Sequence, residues 1–312
     1  MIDFCGIALA HPIVNGSGTF DVVAARRTFG DALLEGFPFS AFVSKTITLL
    51  PREGNPPPRL WEAQAGLINS IGLPNRGLHG YLEHDLPQLA ALAVPLITNV
   101  MGSTAGEVAQ LVEAIDARAE VAAIELNVSC PNVSTGLDVG ADPRSLAALV
   151  RAVRPLTRKV LIVKLTPNTA DVAAVALAAE AEGADAVSLI NTLRATAFVP
   201  GEGSRPWLGG ITGGLSGPAI RSIALAQVAA VARRTELAIV GMGGVARGSH
   251  ARDLLSAGAT LVAVGTESFR DPAAGSRVAR ELKSLQIAGT HSSGVNASEA
   301  EVEVDMNSAD SS

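Results

Sequence analysis

Cysteine is nearly missing from this chain: 312 residues contain two, Cys5 and Cys130. Two thiols cannot build a disulfide framework, and they cannot supply the four ligands of a [2Fe–2S] cluster. A reduced, cytoplasmic setting is therefore expected. No stretch reaches the roughly 18 uninterrupted apolar residues of a membrane span, because Pro, Glu or Gly breaks the longest runs. The opening MIDFCGIALAHP has no basic leader ahead of an apolar block, so no secretory signal is expected. Net charge is 24 − 30 = −6, with no Lys/Arg cluster, which argues against nucleic acid and anionic membranes as partners. The five histidines (residues 11, 79, 84, 250 and 291) show no metal-ligand spacing. No metal is expected.

What the chain does have is core material, with 48% apolar residues and a mean hydropathy of +0.32. Short β-branched runs recur, each followed by a polar or Gly-rich turn and an Ala/Leu-rich stretch. The runs Pro12–Asn15, Ala41–Lys45, Pro95–Asn99, Ala123–Val128, Val160–Leu165, Ala186–Asn191, Leu237–Gly241 and Leu261–Gly265 read as strands. Most are continuously apolar, as parallel strands covered on both faces should be. Between them, Thr104–Ala117, Asp142–Val153, Thr169–Glu182, Gly217–Arg233 and Ser249–Ala257 read as helices. In the first, Val108, Leu111, Val112 and Ile115 form a stripe, and Thr104 and Glu107 are placed like a capping box. This alternation predicts an α/β fold, a single (β/α)8 TIM barrel over residues 1–286. An open doubly wound sheet is the rival, but no GxGxxG turn follows the first strand. Residues 287–312 are small, polar and acidic, without apolar periodicity, and read as a flexible tail outside the fold.

A barrel of this kind gathers its reacting groups at the C-terminal ends of its strands. Here those ends carry Asn15-Gly16-Ser17-Gly18, Ser44-Lys45-Thr46, Asn99, Asn127-Val128-Ser129-Cys130-Pro131-Asn132, Lys164, Asn191-Thr192, Gly241-Met242-Gly243-Gly244 and Gly265-Thr266. Amides and ammonium groups without paired carboxylates suit a flat, amide-rich, anionic ligand, not a metal or a glycoside. Gly243-Gly244 and Gly265-Thr266 fall where barrels bind phosphate, although Gly is also the ordinary turn residue after a strand. Both pairs in the last two units point to a phosphorylated cofactor. Lys164 would then steady the negative charge of a reduced flavin. Cys130 admits two readings from position alone, a small buried hydrophobe or a general base whose reference pKa of about 8.5 allows work near neutrality. It opens the segment Val133–Ala141, which reads as a loop able to cover a site. Cys5 reads as structural.

The motifs SKT at 44–46, REGNPPPR at 52–59, NSIGLPN at 69–75, NVSCPN at 127–132, INT at 190–192, GGLSGPAI at 213–220 and IVGMGG at 239–244 resemble, in this order and spacing, the class 1 dihydroorotate dehydrogenases. That resemblance implies flavin enzymes of pyrimidine (UMP) biosynthesis, with Cys130 as the base that a Ser replaces in the membrane-anchored class. INT and GGLSGPAI resemble the 1B branch, whose catalytic subunit pairs with a second subunit carrying FAD and a [2Fe–2S] cluster and passes electrons to NAD+. The fumarate-using 1A branch is the alternative. A homodimer is also expected.

Carried over by position, the resemblance implies that Lys45, Asn69, Ser70, Ile71, Gly72, Leu73, Asn127, Asn132, Asn191 and Thr192 hold the substrate. It implies FMN contacts from Ser17, Lys45, Thr46, Asn99, Asn127, Lys164, Ile190, Gly217, Gly243, Gly244, Gly265 and Thr266. Local variation at His11 and at Pro74-Asn75-Arg76 is expected to touch no position with a role. The expected reaction is oxidation of (S)-dihydroorotate to orotate, Cys130 removing the C5 proton while C6 gives up a hydride. Two other readings stay open: a flavin-dependent uracil or thymine reductase, and a non-catalytic phosphate-binding barrel.

Overall fold

A computed structural model of the protein describes residues 1–129 and 139–295, with side chains up to Ile287. Eight strands form one parallel sheet: β1 (Ile13–Asn15), β2 (Phe42–Val43), β3 (Leu96–Val100), β4 (Val121–Asn127), β5 (Val160–Lys164), β6 (Ala186–Leu189), β7 (Ala238–Met242) and β8 (Leu261–Val264). Their order is β1-β8-β7-β6-β5-β4-β3-β2, with neighbours in register such as Asn127↔Lys164 and Ser188↔Lys164. Each falls within a residue or two of a run read from the sequence.

The sheet closes through a side chain. Asn15 presents its amide to β2 as a further strand residue would: Nδ2 donates to the Val43 carbonyl at 2.8 Å, and Oδ1 accepts the Val43 N–H at 2.8 Å. Below it, the Ser40 N–H donates to the Ile13 carbonyl at 3.0 Å. Asn15 is wholly buried, so this polar residue at a strand end is spent on the seam of the barrel.

Alternation along the strands gives the barrel two cores. Outward residues such as Ile124, Leu126, Leu161 and Val163 pack under the helices with Val108, Leu111, Val112 and Ile115. Inward residues Val14, Val43, Ile97, Ala123, Ile162, Ala186, Val240 and Ala263 fill the lower interior. An N-terminal hairpin, Ile2–Phe4 paired with Ile7–Leu9, buries Phe4 and Leu9 against this inner core. Cys5 sits in its turn at φ +52° and donates weakly to the Asp185 carbonyl. Burial, then the nearby Asp185 and Asp3, push its thiol up to about 11, which suits a structural residue.

The helices read from the sequence are present, and their ends show why. Ala105–Asp116 is capped by Thr104, whose hydroxyl accepts the Glu107 N–H at 3.2 Å, while Glu107 reaches back to the Ser103 N–H at 2.7 Å. Asp142 and Asp171 cap Pro143–Val153 and Val172–Ala181 in the same way. Arg221–Ala232 is entered through a short 3-10 turn, Pro218–Ile220. The last helix, Ala274–Val295, crosses the 286/287 boundary read from composition, and residues 296–312 lie outside the described residues.

Beyond the N-terminal hairpin and the helices Val22–Phe29 and Ala274–Val295, none of them read from the sequence, a whole sheet was not foreseen. Strands Leu60–Ala63, Gly66–Asn69, Leu193–Ala195 and Gly213–Ser216 form a separate antiparallel sheet. The insertions that supply it leave the C-terminal ends of β2 and β6, so it stands beside the barrel mouth. Gly214 allows the close approach this needs, since a Cβ there would overlap the Thr192 side chain. Among the described residues, no helix is long and apolar enough to cross a membrane.

Candidate functional site

Above the apolar plug, the inward positions turn polar. Asn99, Glu125, Asn127, Lys164 and Ser188 all project from β3 to β6, and Ser44-Lys45-Thr46 continue β2. A chain of hydrogen bonds runs across the mouth. The Ser17 hydroxyl donates to the Ser44 carbonyl at 2.8 Å and lies 3.5 Å from the Thr46 hydroxyl, which accepts the Asn127 amide at 3.4 Å. Asn127 Oδ1 takes the Asn191 amide at 3.5 Å and the Ser129 N–H at 3.3 Å. Asn191 also donates to the Ser129 hydroxyl at 2.9 Å and accepts the Thr192 N–H at 2.8 Å. These contacts link Ser17, Thr46, Asn127, Asn191 and Thr192, drawn from four separate segments of sequence.

Two cations flank this network. Lys164 is 6% exposed, and neither its ammonium nor that of the exposed Lys45 makes a hydrogen bond or ion pair among the described residues. Both ammonium groups are thus left, among the described residues, for an anionic or carbonyl-bearing ligand. Asn99 leaves a matching gap: its Nδ2 donates to Glu125 Oε1 at 2.5 Å, yet its Oδ1 is buried with no partner.

The glycines of the last two barrel units meet in one place. Gly217, Gly243 and Gly244 have φ of +88°, +135° and +67°, a region that favours glycine. A Cβ on Gly244 would lie 2.9 Å from the Gly217 carbonyl oxygen, and one on Gly217 would lie 3.6 Å from Thr266 Cγ2. Ile190 borders the cradle, its Cγ1 3.5 Å from a Cβ placed on Gly243. Gly265 lies against Gly16, and the Thr266 hydroxyl donates to Ser216 at 2.8 Å. The turn opening at Gly265 has no side-chain cap, which leaves its first backbone N–H groups for an anion, whereas at Gly217 the following N–H groups of Ala219 and Ile220 are taken by the Ala65 and Gly217 carbonyls. Phosphate tail, cation and unmet acceptor are all provided for, so these residues fit a flavin mononucleotide.

The chain as a whole points the same way. The family model for dihydroorotate dehydrogenase matches residues 1–285. This chain belongs to the dihydroorotate dehydrogenase family. Similar curated proteins include a protein of Geobacter sulfurreducens, 42% identical over 90% of this chain and 91% of that one, and one of Desulforudis audaxviator, 43% identical over 90% and 91%. Each is named dihydroorotate dehydrogenase B (NAD(+)), catalytic subunit. A crystal structure of the Eimeria tenella enzyme with ferulenol has a TM-score of 0.74 and 22% identity, covering 93% of this chain and 85% of that one. That likeness supports the barrel fold.

The segment that dihydroorotate dehydrogenase resemblance assigns to substrate, Asn69–Leu73, leaves the antiparallel sheet and turns at Gly72 and Leu73, with φ of +75° and +55°. Asn69 donates to the Gly214 carbonyl at 3.2 Å. Two asparagines that were given no role from the sequence hold this turn. Asn55, from REGNPPPR, donates its backbone N–H to the Ile71 carbonyl at 3.0 Å and its amide to the Ser70 hydroxyl at 2.9 Å. Asn75 donates to the Leu73 carbonyl at 2.9 Å and accepts the Thr48 and Gly77 N–H groups. The expectation that Pro74-Asn75-Arg76 touches no assigned position is therefore corrected. An Asn three residues from a loop glycine is the signal that could have found it.

Asn168 was also missed. It donates to the Thr192 carbonyl at 3.1 Å and accepts the Arg194 N–H at 2.9 Å, fixing the strand after Thr192. With Ser129, Thr166 and Asn191 it lines a polar cavity between barrel and sheet. Cys130 and Asn132 lie outside the described residues, as does 133–138 of the covering segment. Among the described residues, no group of His, Cys, Asp or Glu could hold a metal ion.

Proposed function

We propose that the chain is the catalytic subunit of an NAD+-linked dihydroorotate dehydrogenase, oxidising (S)-dihydroorotate to orotate in pyrimidine synthesis. The observation that carries this reading is the Asn99 acceptor, buried and unpartnered at a mouth where a glycine cradle and the Lys164 ammonium, unpaired among the described residues, also stand. FMN, when bound there, supplies the two-electron acceptor for the hydride leaving C6 of the substrate. Lys164, Lys45, Thr46, Ser17, Asn99, Asn127, Ile190, Gly217, Gly243, Gly244, Gly265 and Thr266 would hold it.

The chain's own residues do the rest. Asn69, Asn127 and Asn191 offer amides that pair in both senses with an imide edge, while Lys45 offers a cation to the carboxylate. Asn191 is bonded to Asn127 and Asn69 to the Gly214 carbonyl, which fixes them before substrate arrives and lowers the ordering cost of binding. Asn127-Val128-Ser129 leads straight off β4 at the mouth, and Cys130, the next residue, takes the C5 proton as thiolate. Base catalysis of this type contributes roughly 10²–10⁴-fold.

The relatives' names support NAD+ over fumarate as acceptor. Two cysteines cannot ligate a [2Fe–2S] cluster, so the relay is assigned to a second subunit carrying FAD and that cluster, on a homodimer of this chain. Purification with and without that subunit tests the reading. Dihydroorotate-dependent NAD+ reduction is expected only in its presence; fumarate reduction by the isolated chain would contradict it.

A further inference from the structure

Glu125 is the anomaly of the barrel interior. It is a carboxylic side chain 2% exposed, set on β4 between the apolar Ala123 and the site residue Asn127, and it makes no ion pair among the described residues. Both of its oxygens accept a hydrogen bond: Oε1 from Asn99 Nδ2 at 2.5 Å, Oε2 from the Ser188 hydroxyl at 2.7 Å. A buried carboxyl group costs stability unless its partners repay the desolvation. Nothing in the packing of the lower interior calls for it.

Its consequence lies at Asn99. A planar amide carries a donor on one side and an acceptor on the other, and the two ends have nearly the same shape. Sterics alone therefore leave the orientation of such a side chain open. Here the backbone of Asn99 is held on both sides, its N–H by the Ser44 hydroxyl at 3.1 Å and its carbonyl by the Ile47 N–H at 3.0 Å. With that frame fixed, Glu125 decides the rest: two accepting oxygens admit only the Nδ2 end. Oδ1 is thereby turned away from Glu125, and it is left buried and unpartnered. Buried acceptors in this state point to a missing donor.

We propose that Glu125, braced by Ser188, is a positioning residue that locks the Asn99 amide with its acceptor towards an N–H group of the flavin. This rests on the flavin reading above and deepens it. Ser188 contributes by tying the carboxylate to β6, so that inward positions on β3, β4 and β6 act as one device without Glu125 touching the ligand.

The test is a thermodynamic cycle on flavin-stripped protein, reading FMN affinity by fluorescence titration and the visible spectrum of the bound flavin. N99A is expected to weaken FMN binding about tenfold, the value of a good buried hydrogen bond. E125L, which removes both acceptors, is expected to cost as much in the native background and less than about twofold in the N99A background. E125Q keeps an oxygen that can accept Nδ2, so it should stay within about threefold of the native protein and restore its spectrum. If E125L fails to fold, S188A carries the test, weakening binding in the native background and not in N99A.

An unaffected N99A overturns the proposal. So does an equal loss from E125L or S188A in both backgrounds, the mark of a purely structural role. A native protein that binds no FMN sinks the flavin reading along with it; native binding without coupling between 125 and 99 sinks this inference alone.

Discussion

The lower and upper halves of the barrel interior share the same strands and are built on opposite principles. Below, Ile97, Ala123, Ile162 and Val240 fill space as one buried apolar cluster. Two residues further along three of these strands, Asn99, Glu125 and Lys164 take their places, and the Asn99 acceptor is left unmet. A period of two makes this possible, because each inward step moves one layer towards the mouth. Stability is concentrated in one half so that the other can keep groups in reserve for a ligand.

The sharpest way to break this comparison is at Cys130. Cys130→Ala is expected to lower turnover near neutral pH by about 10²–10⁴-fold while the flavin stays bound and the melting temperature holds. A fully active alanine variant would remove the thiol from the mechanism. Next in size is the plug. Ile162→Ala should destabilise the fold by about 2–5 kcal/mol in a denaturant titration, yet leave FMN affinity of the folded protein unchanged. Equal loss in both quantities would mean the two halves are not separable.

Lys164→Ala, one inward position higher, should show the reverse pattern. Flavin affinity is expected to fall about tenfold or more, with the stability of the flavin-free protein unchanged or raised, since a buried charge is removed. The smallest effect concerns His11, below the barrel. Burial lowers its pKa, and its Nδ1 accepts the Ile13 N–H at 3.2 Å, which only an unprotonated nitrogen can do. The folded value lies below the unfolded one near 6.5, so this contribution is complete above that pH and is lost as pH falls through the folded value. H11Q should flatten the acid limb of the melting-temperature profile; an unchanged limb would assign it to other groups.

The barrel strands were legible because parallel strands covered on both faces read as unbroken apolar runs, and eight of them alternate with helices. The antiparallel sheet was not, for physical reasons. Gly213 and Gly214 carry no side chain, and Leu60 points to solvent at 51% exposure, so no apolar pattern marks these strands. Among site residues, Lys164, Asn127 and the paired glycines announced themselves by standing at strand ends. Asn15 stood there too, and its work is the barrel seam. Glu125 sits within the run Ala123–Val128, where sequence shows a lone acid but not the Asn99 and Ser188 side chains brought to it from other strands.

The central claim is that this barrel mouth couples dihydroorotate to a bound flavin. Anaerobic addition of dihydroorotate to the yellow, FMN-loaded protein tests it most directly. Bleaching of the flavin absorbance is predicted with dihydroorotate and not with dihydrouracil, which lacks the carboxylate assigned to Lys45. A colourless protein that takes up no FMN, or a flavin that bleaches with dihydrouracil alone, would contradict the account.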